Sequence, residues 1–185
     1  MSKVTAFFAE GTEEVECLAV VDVLLRAGIE VQLVSISGKR EVTGSHKITV
    51  VADKTYEEAE FDDSDMLFLP GGMPGVVNLT AHKALAELLL RFDREGKRLA
   101  AVCAAPSVLG GLGILNGKKA TCFPGWEDKL QGAICTGAGV VTDGNVSTGR
   151  GLGFSIDLGL EMIRLLEGDA KAADIKSRIQ HPDSI

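Results

Sequence analysis

At 185 residues, 45% hydrophobic and 24% charged, the chain has the length and apolar content of one ordinary globular domain with its own core, and residues 1–185 are read as a single domain. A net charge of −7, with no basic run longer than Lys118-Lys119, excludes a nucleic-acid-binding surface. Met1-Ser2-Lys3-Val4 leads straight into a strand and no run of about 18 uncharged apolar residues occurs, so neither a signal segment nor a membrane span is expected and a cytoplasmic location is.

Val4 to Ala9 is a short apolar run broken by Glu10-Gly11-Thr12, after which Val15, Leu18, Val21 and Leu25 recur on one helical face. Thr12 reads as the N-cap, with Glu13 and Glu14 complementing the dipole in the first turn. Gly28 stops the helix and Glu30 to Ile36 forms a second strand, completing a βαβ unit. Glu41 to Thr43 and Lys47 to Val51 read as a hairpin or edge extension, and Asp53 to Ser64 as a polar surface connection pinned by Tyr56 and Phe61. Met66 to Leu69 has the unbroken apolar character of a strand buried on both faces, ended by Pro70-Gly71-Gly72. A helix with Leu85, Leu88, Leu89 and Phe92 on one face follows, to about Gly96. Arg98 to Val102 is a further strand, Ala120 to Phe123 a short one, and Pro124-Gly125-Trp126 opens a brief helical stretch. Val140 to Thr142 and Asn145 to Thr148 flank the hairpin signal Asp143-Gly144. Gly149 to Gly153 leads into a long helix with Phe154, Leu158, Met162 and Leu165, and Ala170 to Ile179 forms a last one. Alternating strands and helices of this kind predict a doubly wound α/β sheet with helices on both faces.

The segment Val102-Cys103-Ala104-Ala105-Pro106 reads as strand, sharp turn, helix, with Pro106 at the first helical position. A cysteine there faces backbone N–H groups and the positive end of a helix dipole, so its thiol should ionise more readily than a free one. This is the geometry of a nucleophile elbow, in which the N–H of Ala104 would hold an oxyanion. The same stretch also serves a buried structural cysteine. What separates the two readings is convergence: in doubly wound sheets ligands bind beyond the carboxyl ends of the strands. The Glu10 to Glu16 segment, the Gly71-Gly72 turn and Cys103 all fall on that edge, which favours a functional Cys103. The other cysteines, Cys17, Cys122 and Cys135, are widely spaced and read as reduced packing residues, and no metal site or cofactor is expected. Cys17 adjoins Glu16 but should point away from it. Gly149 to Gly153 lacks the spacing and the Lys-Ser/Thr of a phosphate loop, and tight strand-to-helix packing explains it better.

Four segments in order, Ala9-Glu10-Gly11-Thr12-Glu13-Glu14-Val15-Glu16, Leu69-Pro70-Gly71-Gly72, Ala101-Val102-Cys103-Ala104-Ala105-Pro106 and Arg150-Gly151-Leu152-Gly153, resemble the ThiJ/PfpI superfamily, in the branch of the Parkinson-disease-associated deglycase and its bacterial relatives. The resemblance implies a flavodoxin-like, class I glutamine amidotransferase-like sandwich that forms a homodimer. It further implies that Cys103 is the reactive cysteine, that Glu16 hydrogen-bonds its sulfur, and that the N–H groups of Gly72 and Ala104 form an anion pocket. Arg26 matches a basic residue near the family's dimer interface, and His46 stands where the facing position holds an arginine.

One departure bears on chemistry. Where some members place a histidine before a proline near the cysteine, this chain has Phe123-Pro124. His46, His82 and His181 read as solvated polar residues, so a Cys/His/acid triad lacks its histidine and a leaving amine would lack a general acid. Two chemistries fit a thiol paired with one carboxylic acid. In the first, Cys103 adds to a small 2-oxoaldehyde such as methylglyoxal, or to its early protein adducts, with Glu16 moving protons. Alternatively, peroxide oxidises Cys103 to a sulfinate in a redox sensor or stress chaperone without turnover.

Overall fold

The computed structural model describes residues 1–184. In chain order, β1 (Lys3–Phe8), α1 (Glu14–Arg26) and β2 (Glu30–Ser35) form the first βαβ unit; β3 (Glu41–Thr43), β4 (Thr49–Val51) and β5 (Lys54–Thr55) follow. Next come β6 (Met66–Leu69), α2 (Gly75–Ala81), α3 (Lys83–Arg94), β7 (Arg98–Val102) and α4 (Pro106–Gly111). The chain ends with β8 (Lys119–Ala120), β9 (Ile134–Cys135), β10 (Val140–Asp143), β11 (Val146–Gly149), α5 (Ser155–Glu167) and α6 (Asp169–Arg178).

The main sheet has seven strands in the order β10-β11-β7-β6-β1-β2-β5. All pairings are parallel except β10 with β11, the predicted hairpin. The order reverses between β1 and β6, and that reversal opens a crevice at the carboxyl edge, the usual ligand position in a flavodoxin-like sheet. Because side chains alternate across the sheet, β1 sends Phe7 and Ala9 into one apolar layer and Val4, Ala6 and Phe8 into the other. The first layer packs against α3 through Leu85, Leu88, Leu89 and Phe92, the predicted stripe, all buried. The second packs against α1 and α5 through Val20, Val23, Leu24, Leu158, Met162 and Ile163.

Several expectations are corrected. The residue capping α1 is Glu13, whose carboxylate accepts from Glu16 N at 2.6 Å; the Thr12 hydroxyl instead closes the preceding turn by accepting from Ala9 N at 2.9 Å. The stripe Val15, Leu18, Leu25 faces outward, 49%, 37% and 54% exposed, while Glu14, Glu16, Cys17, Val20, Val23 and Leu24 face in. The hairpin β3–β4 is a separate two-stranded ribbon. The polar connection contains β5, which pairs with β2 at the sheet edge, and Tyr56 and Phe61 pin it to the core as expected, their tilted rings 5.0 Å apart. The short helix α2, with seven residues, and the two-residue strand β9 have no counterpart in the sequence pattern. His181 is not solvated: its side chain is 12% exposed and its Nε2 lies 3.2 Å from Asp157 Oδ1. Among the described residues no helix is long and apolar enough to cross a membrane.

Candidate active site

Four neighbouring strands, β1, β6, β7 and β11, end at one edge, and the loops leaving them build the site. Cys103 leaves β7 at φ 64°, a left-handed conformation that costs a side-chain-bearing residue about 1–2 kcal/mol. Neighbouring loops hold it there: Cys103 N donates to Gly149 O at 2.9 Å, and Cys103 O accepts from Phe123 N at 2.8 Å. Pro106 opens α4, as predicted. The backbone N–H groups of Ala104 and Gly72 both face the sulfur, so the structure brings together the two groups expected of an anion pocket.

Glu16 reaches the same sulfur from the first turn of α1. Its carboxyl is 2% exposed, hydrogen-bonds Cys103 and faces Leu152 N, and accepts from Gly71 N at 3.1 Å. The Gly71-Gly72 turn has no room for side chains. A Cβ on Gly71 would lie 2.5 Å from Glu16 Oε2 and 2.7 Å from Cys103 Cβ. Gly72 sits at φ 92°, with its vacant Cβ position against Glu13 N, so only glycine lets this backbone approach so closely. Glu13 links the parts. Its carboxylate caps the helix at Glu16 N, and its own N–H donates to Gly71 O at 2.9 Å.

The electrostatics correct one expectation. Burial pushes Glu16 up to about 7; the hydrogen bond to Cys103 opposes this and the charge of Glu13 adds to it. Cys103 is pushed up to about 12, first by burial and then by the charge of Glu16 and the hydrogen bond to it, against the pull of the Ala104 and Gly72 N–H groups. A more readily ionised thiol, expected from the helix N-terminus alone, is therefore not what the site provides while Glu16 is ionised. The buried carboxylate on the other side of the sulfur outweighs the N–H groups. Between about 7 and about 12 the pair holds one proton. With that proton on Glu16, the repulsion disappears and a thiolate faces two N–H donors.

The remaining expected residues lie elsewhere. Arg26, at the far end of α1, pairs with Asp22 at 2.6 Å, about 18 Å along the helix from Glu14. His46, on the β3–β4 loop, has its Nδ1 3.2 Å from Glu14 Oε2 and 3.5 Å from Glu13 Oε1. His82 caps α3 by accepting from Leu85 N at 3.1 Å, and His181 packs on Asp157. In place of the histidine, Phe123 presents a ring 49% exposed, 3.5 Å from the vacant Cβ position of Gly151. Sequence reasoning gave Glu13 and the Gly149 to Gly153 loop structural roles alone; both touch the site, Glu13 through its charge and Leu152 through its N–H. Their signal was available in the acidic triplet and in a glycine-rich loop at the shared sheet edge. Cys17, as expected, turns away into the opposite layer.

An α/β sandwich with a cysteine on a strained strand-to-helix elbow defines the class, a flavodoxin-like protein of the class I glutamine amidotransferase-like type. The chain belongs to the DJ-1/PfpI family, whose model matches residues 2–165. It is 37% identical over 175 residues to the Parkinson disease protein 7 homolog of Danio rerio, covering 91% of this chain and 92% of that one. It is 35% identical over 175 residues to protein DJ-1 homolog B of Arabidopsis thaliana, covering 94% of this chain but 40% of the plant protein. The chain thus spans less than half the length of the plant relative. Among solved structures it resembles oxidised DJ-1 of Toxoplasma gondii, with TM-score 0.93, 31% identity and coverage of 97% and 98% of the two chains. It equally resembles an alanine-for-cysteine variant of a DJ-1 superfamily protein of Salmonella typhimurium, with TM-score 0.93, 34% identity and coverage of 98% and 100%.

The pH midpoint for alkylation of Cys103 by iodoacetamide should lie well above that of an ordinary thiol, because burial and the Glu16 carboxylate push the group up to about 12. In Glu16→Gln that midpoint should move toward the value of an ordinary thiol, and in Glu13→Gln, which keeps the capping oxygen but removes a charge, it should fall. An unchanged midpoint in both variants would show that Cys103 titrates independently of the carboxyl. Gly71→Ala should cost about 1–3 kcal/mol in denaturant unfolding and slow alkylation, because the new methyl group forces Glu16 and Cys103 apart.

Proposed function

We propose that the chain is a cofactor-independent glyoxalase or deglycase that acts on methylglyoxal, a small 2-oxoaldehyde, or on its early protein adducts, with Cys103 as nucleophile and Glu16 as acid and base. The observation that carries this reading is the contact of one sulfur with a carboxyl group of pKa about 7 on one side and two backbone N–H groups on the other. A carboxyl tuned close to neutrality both accepts and returns a proton at working pH.

The steps balance without a redox partner. The Cys103 proton passes to Glu16 and the thiolate adds to the aldehyde carbon, forming a hemithioacetal whose oxyanion rests on Gly72 and Ala104 N–H. Glu16 returns its proton to the oxyanion and, as a carboxylate again, takes the proton on that carbon and delivers it to the neighbouring one while the hydroxyl proton passes to the neighbouring oxygen, turning the hemithioacetal into the thioester of a 2-hydroxy acid. Water cleaves the thioester, releasing lactate and restoring the thiol. Aldehyde addition expels no amine, so Phe123 in place of a histidine leaves this route intact while depriving amide hydrolysis of its general acid.

The alternative is a peroxide-responsive sensor or stress chaperone, with Cys103 oxidised to a sulfinate held by the same N–H groups and a protonated Glu16. A relative in this family has been solved in an oxidised form. The half-buried, carboxylate-facing thiol favours the enzyme reading, because peroxide attack depends on standing thiolate whereas addition to a bound aldehyde draws on proton transfer within the pair.

The same proposal includes a homodimer in the cytoplasm. The outward Val15, Leu18 and Leu25 on α1, Leu152 and Phe154 just before α5, and Ile156 in its first turn are exposed apolar side chains on and beside two packed helices, and such surface favours an interaction site. Arg26 and His46 flank the two ends of α1 and are the interface candidates.

Stereospecific lactate formation from methylglyoxal should be lost in Cys103→Ser and fall about 10²–10⁴-fold in kcat in Glu16→Gln, with circular dichroism unchanged. Full turnover in Cys103→Ser would place the chemistry elsewhere. A folded wild type without turnover, whose intact mass rises by two oxygens under limiting peroxide, would establish the sensor. Leu18→Arg should convert a dimer to a monomer in sedimentation velocity without unfolding it, since this side chain already meets solvent in the single chain.

A further inference from the structure

We propose that His46 is a positioning residue for the Cys103–Glu16 pair: its imidazole holds the outer oxygen of Glu13 and, when protonated, opposes the negative field that Glu13 sets on Glu16. The two carboxylate oxygens of Glu13 are divided between two neighbours. Oε2 accepts from Glu16 N at 2.6 Å, and Oε1 lies 3.5 Å from His46 Nδ1. One side chain thus joins the backbone of the acid–base residue to an imidazole on a different element. The loop that carries this imidazole is fastened to the start of α1. Glu14 Oε1 accepts from His46 N at 2.8 Å and from Ile48 N at 3.3 Å, and Ser45 N donates to Thr12 O at 2.8 Å. A Cβ on Gly44 would fall 2.3 Å from Glu14 Cδ, so the loop approaches this closely only as glycine.

Among the described residues, Glu13 and Glu14 are the carboxylates within ion-pair distance of this imidazole, and His46 is the one basic side chain paired with either of them. Nδ1 lies 3.2 Å from Glu14 Oε2 and 3.1 Å from Ser45 Oγ. Its own ribbon also carries Glu41 and Lys47, and Lys39 and Arg40 at the foot of the ribbon pair with Glu10 and Glu58. Burial pushes Glu14 up, but the N–H groups of Glu14, His46 and Ile48 outweigh it and keep that carboxyl below its usual range. An imidazole changes charge between pH 5 and 8 as a class. Glu16, raised by burial first and in part by the charge of Glu13, titrates in the same span, at about 7. While the imidazole is neutral, Glu13 acts unopposed and helps Glu16 keep its proton. Once it is protonated, its charge offsets that of Glu13 and Glu16 gives up its proton more readily. Protons on the two groups therefore oppose one another, and Glu16 titrates over a broader span than an isolated carboxyl.

The test follows the carboxyl carbon of Glu16 with pH in the full chain, labelled with carbon-13 at its glutamate carboxyls; the signal is identified by its loss in Glu16→Gln. Wild type should titrate near pH 7 with a Hill coefficient below 1. His46→Gln, which removes the charge, should give a one-proton curve with a higher midpoint. His46→Lys, which fixes the charge, should give a one-proton curve about half to one pH unit below that of His46→Gln. The His46 side chain is 68% exposed, so both variants should keep the wild-type circular dichroism. Loss of a merely structural contact would move both midpoints together, so coincident midpoints in the two variants overturn the assignment. A second measurement needs no change at His46. Coupling is reciprocal, so the imidazole nitrogen signals should titrate over a broadened span in wild type and as a single proton in Glu16→Gln, and identical curves overturn the assignment as well. Both readouts report the protons of the groups themselves, so they stand apart from whether methylglyoxal is turned over.

Discussion

The structure around Cys103 depends on a proton shared between a sulfur and a carboxyl group that is 2% exposed. Burying an ionised carboxylate is costly unless hydrogen bonds replace the lost water, and the N–H groups of Gly71 and Leu152 supply part of that replacement. They do not supply all of it, which is why Glu16 stays near neutrality in its titration. The consequence reaches across the sheet edge. A carboxyl that retains its proton to about pH 7 relieves its neighbour of a negative charge and can hand that proton on, whereas one held at an ordinary value would oppose any thiolate beside it.

Holding that pair takes five segments of the chain. The elbow after β7 stores strain at Cys103, and strain persists only where the surroundings over-determine the conformation. Here the β11 loop accepts from the Cys103 N–H and the segment after β8 donates to its carbonyl. The turn after β6 must be glycine at two consecutive positions, since at one a methyl group would strike both members of the pair and at the other the backbone of Glu13 already fills the space. Glu13 then acts at three points: it caps α1, anchors the glycine turn and contributes the charge that helps keep Glu16 protonated. Glu14, one residue on, turns the other way and holds the β3–β4 loop through the N–H groups of His46 and Ile48.

Much of this arrangement was legible in the sequence, for reasons that differ by element. The unbroken run Met66 to Leu69 and the stripe on α3 carry periodicities that tertiary packing has no cause to override. Strand endings rich in glycine and a cysteine before small residues and proline point to one sheet edge once the sheet is known to be doubly wound. Strands of two residues such as β5 and β9 carry no period at all and exist because neighbours pair with them. The α1 helix misleads in a more instructive way. Its outward face is as apolar as its inward one, so the stripe Val15, Leu18, Leu25 looks like core, while the buried face contains the charged Glu14 and Glu16. A charge on the inward face is what a functional site requires and what a hydrophobic-pattern reading discards. The thiol escaped for a related reason: the helix N-terminus is visible in a sequence, but the carboxylate that outweighs it is brought there by folding.

The same electrostatic balance bears on which chemistry the site can support. A cysteine activated by histidine keeps a standing thiolate–imidazolium pair and a cationic acid for a leaving amine. Here the partner is an anion when it ionises, each histidine is engaged elsewhere, and Phe123, whose N–H donates to the Cys103 carbonyl, brings an apolar ring and no acid. Such a pair lacks the cationic acid that amide hydrolysis uses but is well suited to moving a single proton between adjacent atoms, because a carboxyl near pKa 7 gives and takes with almost equal ease. Carbonyl addition followed by proton transfer asks for that and nothing more: a nucleophile deprotonated at the moment of attack, an oxyanion met by two fixed N–H groups, and one acid that acts twice.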